Sequence, residues 1–181
     1  MSMNMRVLML VDFMASSMGS TDEEYADIEG YLTELFPDCE LTFTREFRIH
    51  KFDAISNSDW DVFVVDWGGL LPGCEGLTES LYERLVELTY EYPDKLFILW
   101  SSFTKRYYLD AVGAKESRRM LHDELEGLIA PNVVPWFDEN SARRCRLFFD
   151  LAEKPDVEKP YYKYGAPSVL VTLPKRPGVG S

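Results

Sequence analysis

Val7-Leu8-Met9-Leu10-Val11 is an unbroken apolar run that stops at Asp12. A strand with one wet face alternates apolar and polar residues, so a continuous run belongs in a sheet covered on both sides, and such sheets are parallel. Two further runs of the same kind, Val62-Phe63-Val64-Val65 and Leu96-Phe97-Ile98-Leu99, recur along the chain. Each is far shorter than the ~20 residues that cross a bilayer as a helix, so none is expected to span a membrane.

Helical periodicity fills the intervals. Thr21 followed by Glu24 forms a capping box, Asp22 and Glu23 suit the positive end of a helix dipole, and Tyr25, Ile28, Leu32 and Leu35 recur at helical spacing until Pro37. Leu41, Phe43 and Phe47 mark an extended stretch. Leu77, Leu81, Leu85 and Leu88 predict a second helix, and Met120, Leu121, Leu125, Leu128 and Ile129 a later one. Val133-Val134 reads as a short strand, followed by a helix near Ser141 carrying Ala142, Cys145, Phe148 and Phe149. Alternating strands and helices predict an α/β chain: a three-layer, doubly wound, parallel five-stranded sheet of order 2-1-3-4-5, because crossovers between parallel strands are right-handed. Residues 1–152 form the expected domain. Residues 153–181, rich in proline and tyrosine, read as an extended C-terminal tail in which Ser168 to Leu173 has the pattern of an edge strand or a partner-binding segment.

Among 181 residues, 19 are Lys or Arg and 31 Asp or Glu, a net charge of −12. Residues 1–100 hold six basic against 20 acidic side chains, a net of −14, and the remainder carries +2. A field of that sign repels a phosphate backbone, which argues against direct nucleic-acid binding. It suits solubility, or attraction of a basic protein partner. Cys39, Cys74 and Cys145 have no metal or redox spacing and read as buried thiols; His50 and His122 are too few for a metal cluster. Met1 to Arg6 lacks the pattern of a secretion signal, so the expected location is cytoplasmic.

Ligands of open parallel sheets collect outside the carboxyl ends of the strands. After the first strand comes Ala15-Ser16-Ser17-Met18-Gly19-Ser20-Thr21, small hydroxyl residues leading into a helix start. Such a loop can wrap a phosphate with backbone N–H groups and hydroxyls, or simply cap the helix. Asp66-Trp67-Gly68-Gly69 follows the central strand and continues through Pro72-Gly73-Cys74-Glu75-Gly76, glycine-rich enough to approach a flat ligand or to make two turns. Trp100-Ser101-Ser102 follows the next strand. Trp67, Trp100 and Trp136 thus stand at the same end of successive strands, either as a stacking surface for an aromatic ring or as apolar plugs at the sheet rim.

This layout resembles flavodoxin. Ser16-Ser17-Met18-Gly19-Ser20-Thr21 is similar to the family's Ser/Thr-x-Thr-Gly-x-Thr phosphate loop, with Met18 in place of the central threonine, and Trp67-Gly68-Gly69 to its Trp-Gly loop. Tyr107-Tyr108-Leu109-Asp110-Ala111-Val112-Gly113 resembles the stretch after its fourth strand. The resemblance covers about residues 5–152 and implies a Rossmann-like arrangement binding FMN or another nucleotide. The resemblance and the strand-end reading together give Ser16, Ser17, Gly19, Ser20, Thr21, Asp66, Trp67, Gly68, Gly69, Trp100, Ser101 and Ser102 as the expected cofactor-binding residues, with Asp66 a departure from the family that sets a negative charge near the flavin position. Asp12, Asp66 and Ser101 or Ser102 also resemble the acidic pocket of response-regulator receiver domains, although Val133 to Phe137 lacks that family's lysine. Pro72-Gly73-Cys74-Glu75-Gly76-Leu77-Thr78-Glu79 is similar to the signature of nucleotide phosphoribohydrolases, broken at Cys74 and Leu77.

No nucleophile stands with an obvious base among these residues, so none is expected to be catalytic and binding is favoured over turnover. The expected function is a non-hydrolytic protein holding a phosphate-bearing ligand, with an electron carrier as one form. The alternative is a non-catalytic acidic regulatory or inhibitory protein that binds a basic protein partner; no metal is expected.

Overall fold

A computed structural model describes residues 3–11, 21–46, 59–66, 79–100, 105, 108–113, 128–135 and 141–152. Five strands, β1 (Met3–Val11), β2 (Cys39–Glu46), β3 (Val62–Asp66), β4 (Leu96–Leu99) and β5 (Val133–Pro135), form one sheet of order β2-β1-β3-β4-β5. Every neighbouring pair is parallel. The class, the direction of the strands and their order are those expected from the apolar runs. The helices bounded among the described residues are α1 (Thr21–Leu35), α2 (Glu79–Glu91) and α3 (Ser141–Phe148), and residues 105 and 108–113 are also helical.

The strand pleat sorts the core into two clusters, because successive side chains point to opposite faces of a sheet. Met5, Val7 and Met9 of β1 join Val62 and Val64 of β3 and Ile98 of β4 in one cluster, with Tyr25, Ile28, Leu32 and Leu35 of α1 and Cys145 of α3. Leu8 and Leu10 join Phe63, Val65 and Phe97 in the other, with Tyr82, Leu85, Val86 and Leu88 of α2 and Tyr108 and Val112. Phe63 and Phe97 stack at 4.9 Å between ring centroids. Val7 to Leu10 are 0–2% exposed, which accounts for the absence of a polar residue in the run. β1 begins at Met3, four residues before that run, because Met3 to Arg6 pair with Cys39 to Thr42 at the less covered end of the sheet.

α1 ends where Pro37 forbids another turn, and its last turn contains no basic residue. The cation that its negative end favours comes from 111 positions away: Arg146 Nη1 donates to the Leu35 carbonyl at 2.7 Å. The same guanidinium grips Asp38 with both terminal nitrogens, at 3.1 and 3.0 Å, and its Nε donates to the Ala152 carbonyl. The Arg146 side chain is 5% exposed and Asp38 47%. The turn that brings Ala152 back has Asp150 at φ 57°, with Asp150 N–H bonded to the Leu147 carbonyl and Leu151 N–H to that of Arg146. Those two bonds close the helix as a Schellman motif, with aspartate in the left-handed position usually taken by glycine.

α2 also lacks a basic residue in its last turn. Its end is closed by Asn132, whose amide donates to the carbonyls of Thr89 and Tyr92 at 2.9 and 3.1 Å. Thr89 gives its hydroxyl proton to the Val86 carbonyl, 2.7 Å away. Its contact of 2.8 Å with Tyr108 Oη is therefore donated by the tyrosine.

Arg146→Met should cost about 3 kcal/mol in urea unfolding, since it orphans the Leu35 and Ala152 carbonyls and frees Asp38 beside them. Asp38→Asn should cost no more than about 1 kcal/mol, because Asp38 is half in water and both carbonyls keep their donor.

Candidate functional site

The sheet register brings the ends of the strands into line. Val11 of β1 pairs with Asp66 of β3, Val65 with Leu99 of β4, and Leu99 with Pro135 of β5. Trp100 N–H extends the β3–β4 ladder by donating to the Val65 carbonyl at 3.0 Å. With adjacent strands ~4.8 Å apart, the backbone ends of β1, β3, β4 and β5 occupy a row of roughly 15 Å. Ser141, where α3 begins, stands at the β5 end of this row, its hydroxyl 2.7 Å from the Pro135 carbonyl.

The row contains a switch in winding. β1 and β3 are neighbours, yet the helix after β1 joins one core cluster and the helix after β3 joins the other. In open parallel sheets, ligands bind where the winding reverses. In this sheet the reversal falls between β1 and β3.

The sequence-predicted residues divide unequally over this geometry. Thr21 opens α1, and Asp66 ends β3 directly beside Val11. Ser16, Ser17, Gly19, Ser20, Trp67, Gly68, Gly69, Ser101 and Ser102 lie outside the described residues, as do Asp12, Cys74, Trp136, both histidines and the tail from residue 153. Of the expected later helix, Met120, Leu121 and Leu125 lie outside them too, whereas Leu128 is in a turn and Ile129 in no regular element, both packed against the α2-side cluster instead of continuing a helix. Trp100 is the one predicted aromatic whose side chain is described. It is 7% exposed, in the cluster that contains α1, and meets Tyr31 edge to face at 6.0 Å between ring centroids and 71° between planes. Its ring tethers the end of β4 to α1.

Arg45 and Arg144 are already committed. Arg45 reaches from β2 to α1, where Nε and Nη2 contact the Glu29 carboxylate at 2.9 and 3.1 Å and the guanidinium lies 4.9 Å from the centre of the Tyr25 ring. Arg144 donates to the Val133 carbonyl at 2.9 Å. Sequence reading missed this role because nothing local marks an arginine whose acceptor is a strand carbonyl eleven positions earlier. At the opposite end of the strands, Arg6 stacks on Trp60 at 4.4 Å and its backbone N–H bonds to Asp61 Oδ2 at 2.9 Å. That cluster orders the entry to β3.

The described thiols are poor nucleophiles. Burial pushes the fully buried Cys145 up to about 12, against the opposing charge of Arg144. Burial also raises Cys39, assisted by Asp38 and opposed by Arg146. A thiol held protonated cannot attack, since the thiolate is the reactive form. Among the described residues no group of three or more His, Cys, Asp or Glu could hold a metal ion. No helix among them is long and apolar enough to cross a membrane.

No protein-family model, curated protein or solved structure matches the chain.

Cys145 keeps its proton in the folded state above the pH at which the unfolded thiol, of ordinary value 9.0, has lost it. The unfolded chain therefore binds fewer protons over that window, and stability falls as pH rises from about 9 toward 12. Tyr108, raised by burial against the Thr89 hydroxyl, acts in the same direction. Urea midpoints measured from pH 8 to 11 should decline, and Cys145→Ala should reduce the slope without abolishing it.

Proposed function

We propose that the chain is a non-hydrolytic binding protein holding a phosphate-bearing ligand, FMN or another nucleotide, in the crevice between the ends of β1 and β3. The observation that supports this reading is the winding switch at the Val11–Asp66 pair. In this reading residues 1–152 form a three-layer, doubly wound, flavodoxin-like domain of the cytoplasm. Ser16, Ser17, Gly19, Ser20 and Thr21 take the phosphate through hydroxyls and backbone N–H groups, as the start of a helix favours an anion. Asp66, Trp67, Gly68, Gly69, Ser101 and Ser102 border the ring, with Trp100 as the floor beneath them.

Acidity shapes what such a site accepts. Asp12 and Asp66 adjoin the crevice in sequence, and Asp22, Glu23 and Glu24 occupy the first turn of α1. Those carboxylates oppose a phosphate, so the ligand depends on directed N–H donors and on its ring more than on net attraction. With a flavin the protein would act as an electron carrier.

A second reading, a non-catalytic acidic protein that regulates or inhibits a basic protein partner, is favoured by the α1–β2 segment. Residues 21–46 contain nine acidic side chains and one basic one, Arg45, which is already bound to Glu29. That surface attracts a cationic partner without any use of the crevice.

Thermal unfolding in the presence of 1 mM FMN, AMP or ADP tests the first reading. A ligand with a dissociation constant of about 10 µM stabilises by about 2.7 kcal/mol, which raises Tm by roughly 5–10 °C in a chain of this size. Gly19→Val and Ser17→Glu should each weaken that ligand by at least about tenfold, because one obstructs the loop and the other adds a repelling charge. Neither should move the urea midpoint of the free protein. A chain that stays colourless and ignores all three ligands, while a basic polypeptide raises its Tm in a salt-sensitive way, overturns the first reading in favour of the second.

A further inference from the structure

The two edges of the sheet are not equivalent. β5 is three residues long, and its outward backbone groups are satisfied within the chain. Val133 N–H donates to the Ala130 carbonyl at 2.9 Å, the Val133 carbonyl accepts from Arg144, and the Pro135 carbonyl accepts from Ser141. Pro135 has no N–H to leave open. This edge cannot take a further strand.

β2 is the opposite case. It is eight residues long, and among the described residues only β1 pairs with it. Cys39, Leu41 and Phe43 pack against the α1-side cluster but remain partly exposed, and Glu40, Thr42 and Thr44 on the other face are exposed. A strand of this length with no second neighbour among the described residues is a template for another strand.

We propose that Ser168–Leu173 of the same chain adds to β2 over residues 39–44 as a sixth strand. Four observations select this occupant. Arg146 holds the Ala152 carbonyl and the Asp38 carboxylate on one guanidinium, so the chain enters its C-terminal segment beside the first residue of β2. Fifteen residues separate Ala152 from Ser168; extended, they reach ~50 Å, against a length of about 26 Å for β2. Ser-Val-Leu-Val-Thr-Leu is six residues of strand-forming type, bounded by Pro167 and Pro174, which suits an outermost strand. The charges are complementary. Residues 21–46 carry a net charge of −8, whereas residues 153–181 carry five basic and three acidic side chains, with Lys175 and Arg176 just past the strand. Alternate side chains of the added strand cover Leu41 and Phe43, removing from water the half-exposed apolar surface that an edge strand leaves.

Amide hydrogen exchange on the full-length chain tests the pairing, read for residues 39–44 and 168–173 at two protein concentrations tenfold apart. Expected are protection of both segments, independence of concentration, and exchange at 39–44 at least about tenfold faster in Val171→Pro. Amides of β3 should be unaltered in that variant, which shows that the domain remains folded. Val179→Pro, in the same tail but beyond the segment, should leave 39–44 as in the native chain. Residues 168–173 exchanging at free-peptide rates, or 39–44 unmoved by Val171→Pro, overturns the proposal. Protection at 39–44 that weakens on dilution overturns it too, and identifies a second copy of the chain as the occupant.

Discussion

β1 is hydrogen-bonded on both sides, to β2 and to β3, and its side chains are buried on both faces from Val7 to Leu10. Its two faces carry the two directions of winding, α1 packing on one and α2 on the other. Because the pleat has a period of two, slipping β1 by one residue would exchange the members of the two clusters. Met5, Val7 and Met9 fit against α1 while Leu8 and Leu10 fit against α2, and the register is held by that difference. The reversal of winding at the Val11–Asp66 pair follows from the same arrangement.

The helices depend on the sheet in a second way. Neither α1 nor α2 carries a cation in its last turn, and each ends on carbonyls satisfied by a distant side chain. Arg146 serves α1 with a buried charge that Asp38 balances; Asn132 serves α2 with a neutral amide whose two protons are both used. Both donors stand within or next to elements that form late in the chain, so the ends of early helices are completed only when the whole sheet is assembled. The Schellman turn at Asp150 has a similar consequence, since it returns Ala152 to the guanidinium that closes α1.

Much of the architecture was legible from residue pattern. Leu96 to Leu99 forms a strand with the expected limits, and Tyr25, Ile28, Leu32 and Leu35 all face the core from α1. Those successes share a cause: buried strands and amphipathic helices write their environment into the spacing of apolar residues. The extension of β1 back to Met3 was not legible, because Asn4 and Arg6 break the apolar pattern at an exposed end. For the candidate site, the register lines up the strand ends to which the chain pattern pointed, while most of the expected binding residues lie outside the described ones. Trp100 could be read as a ring-stacking wall or a rim plug, and its contact with Tyr31 gives it a core-packing role that spacing alone does not reveal.

From the sequence alone came the α/β class, the parallel direction of the strands, their order and the acidity of the first hundred residues, because each rests on local composition or on the period of side-chain burial. Tertiary structure alone decided what each described arginine is bound to, how the two helix ends are closed, and that the β5 edge is sealed by its own side chains. Those outcomes depend on acceptors brought close across long stretches of chain. Arg144, Arg146 and Asn132 look like ordinary surface residues until the fold sets a backbone carbonyl in front of each.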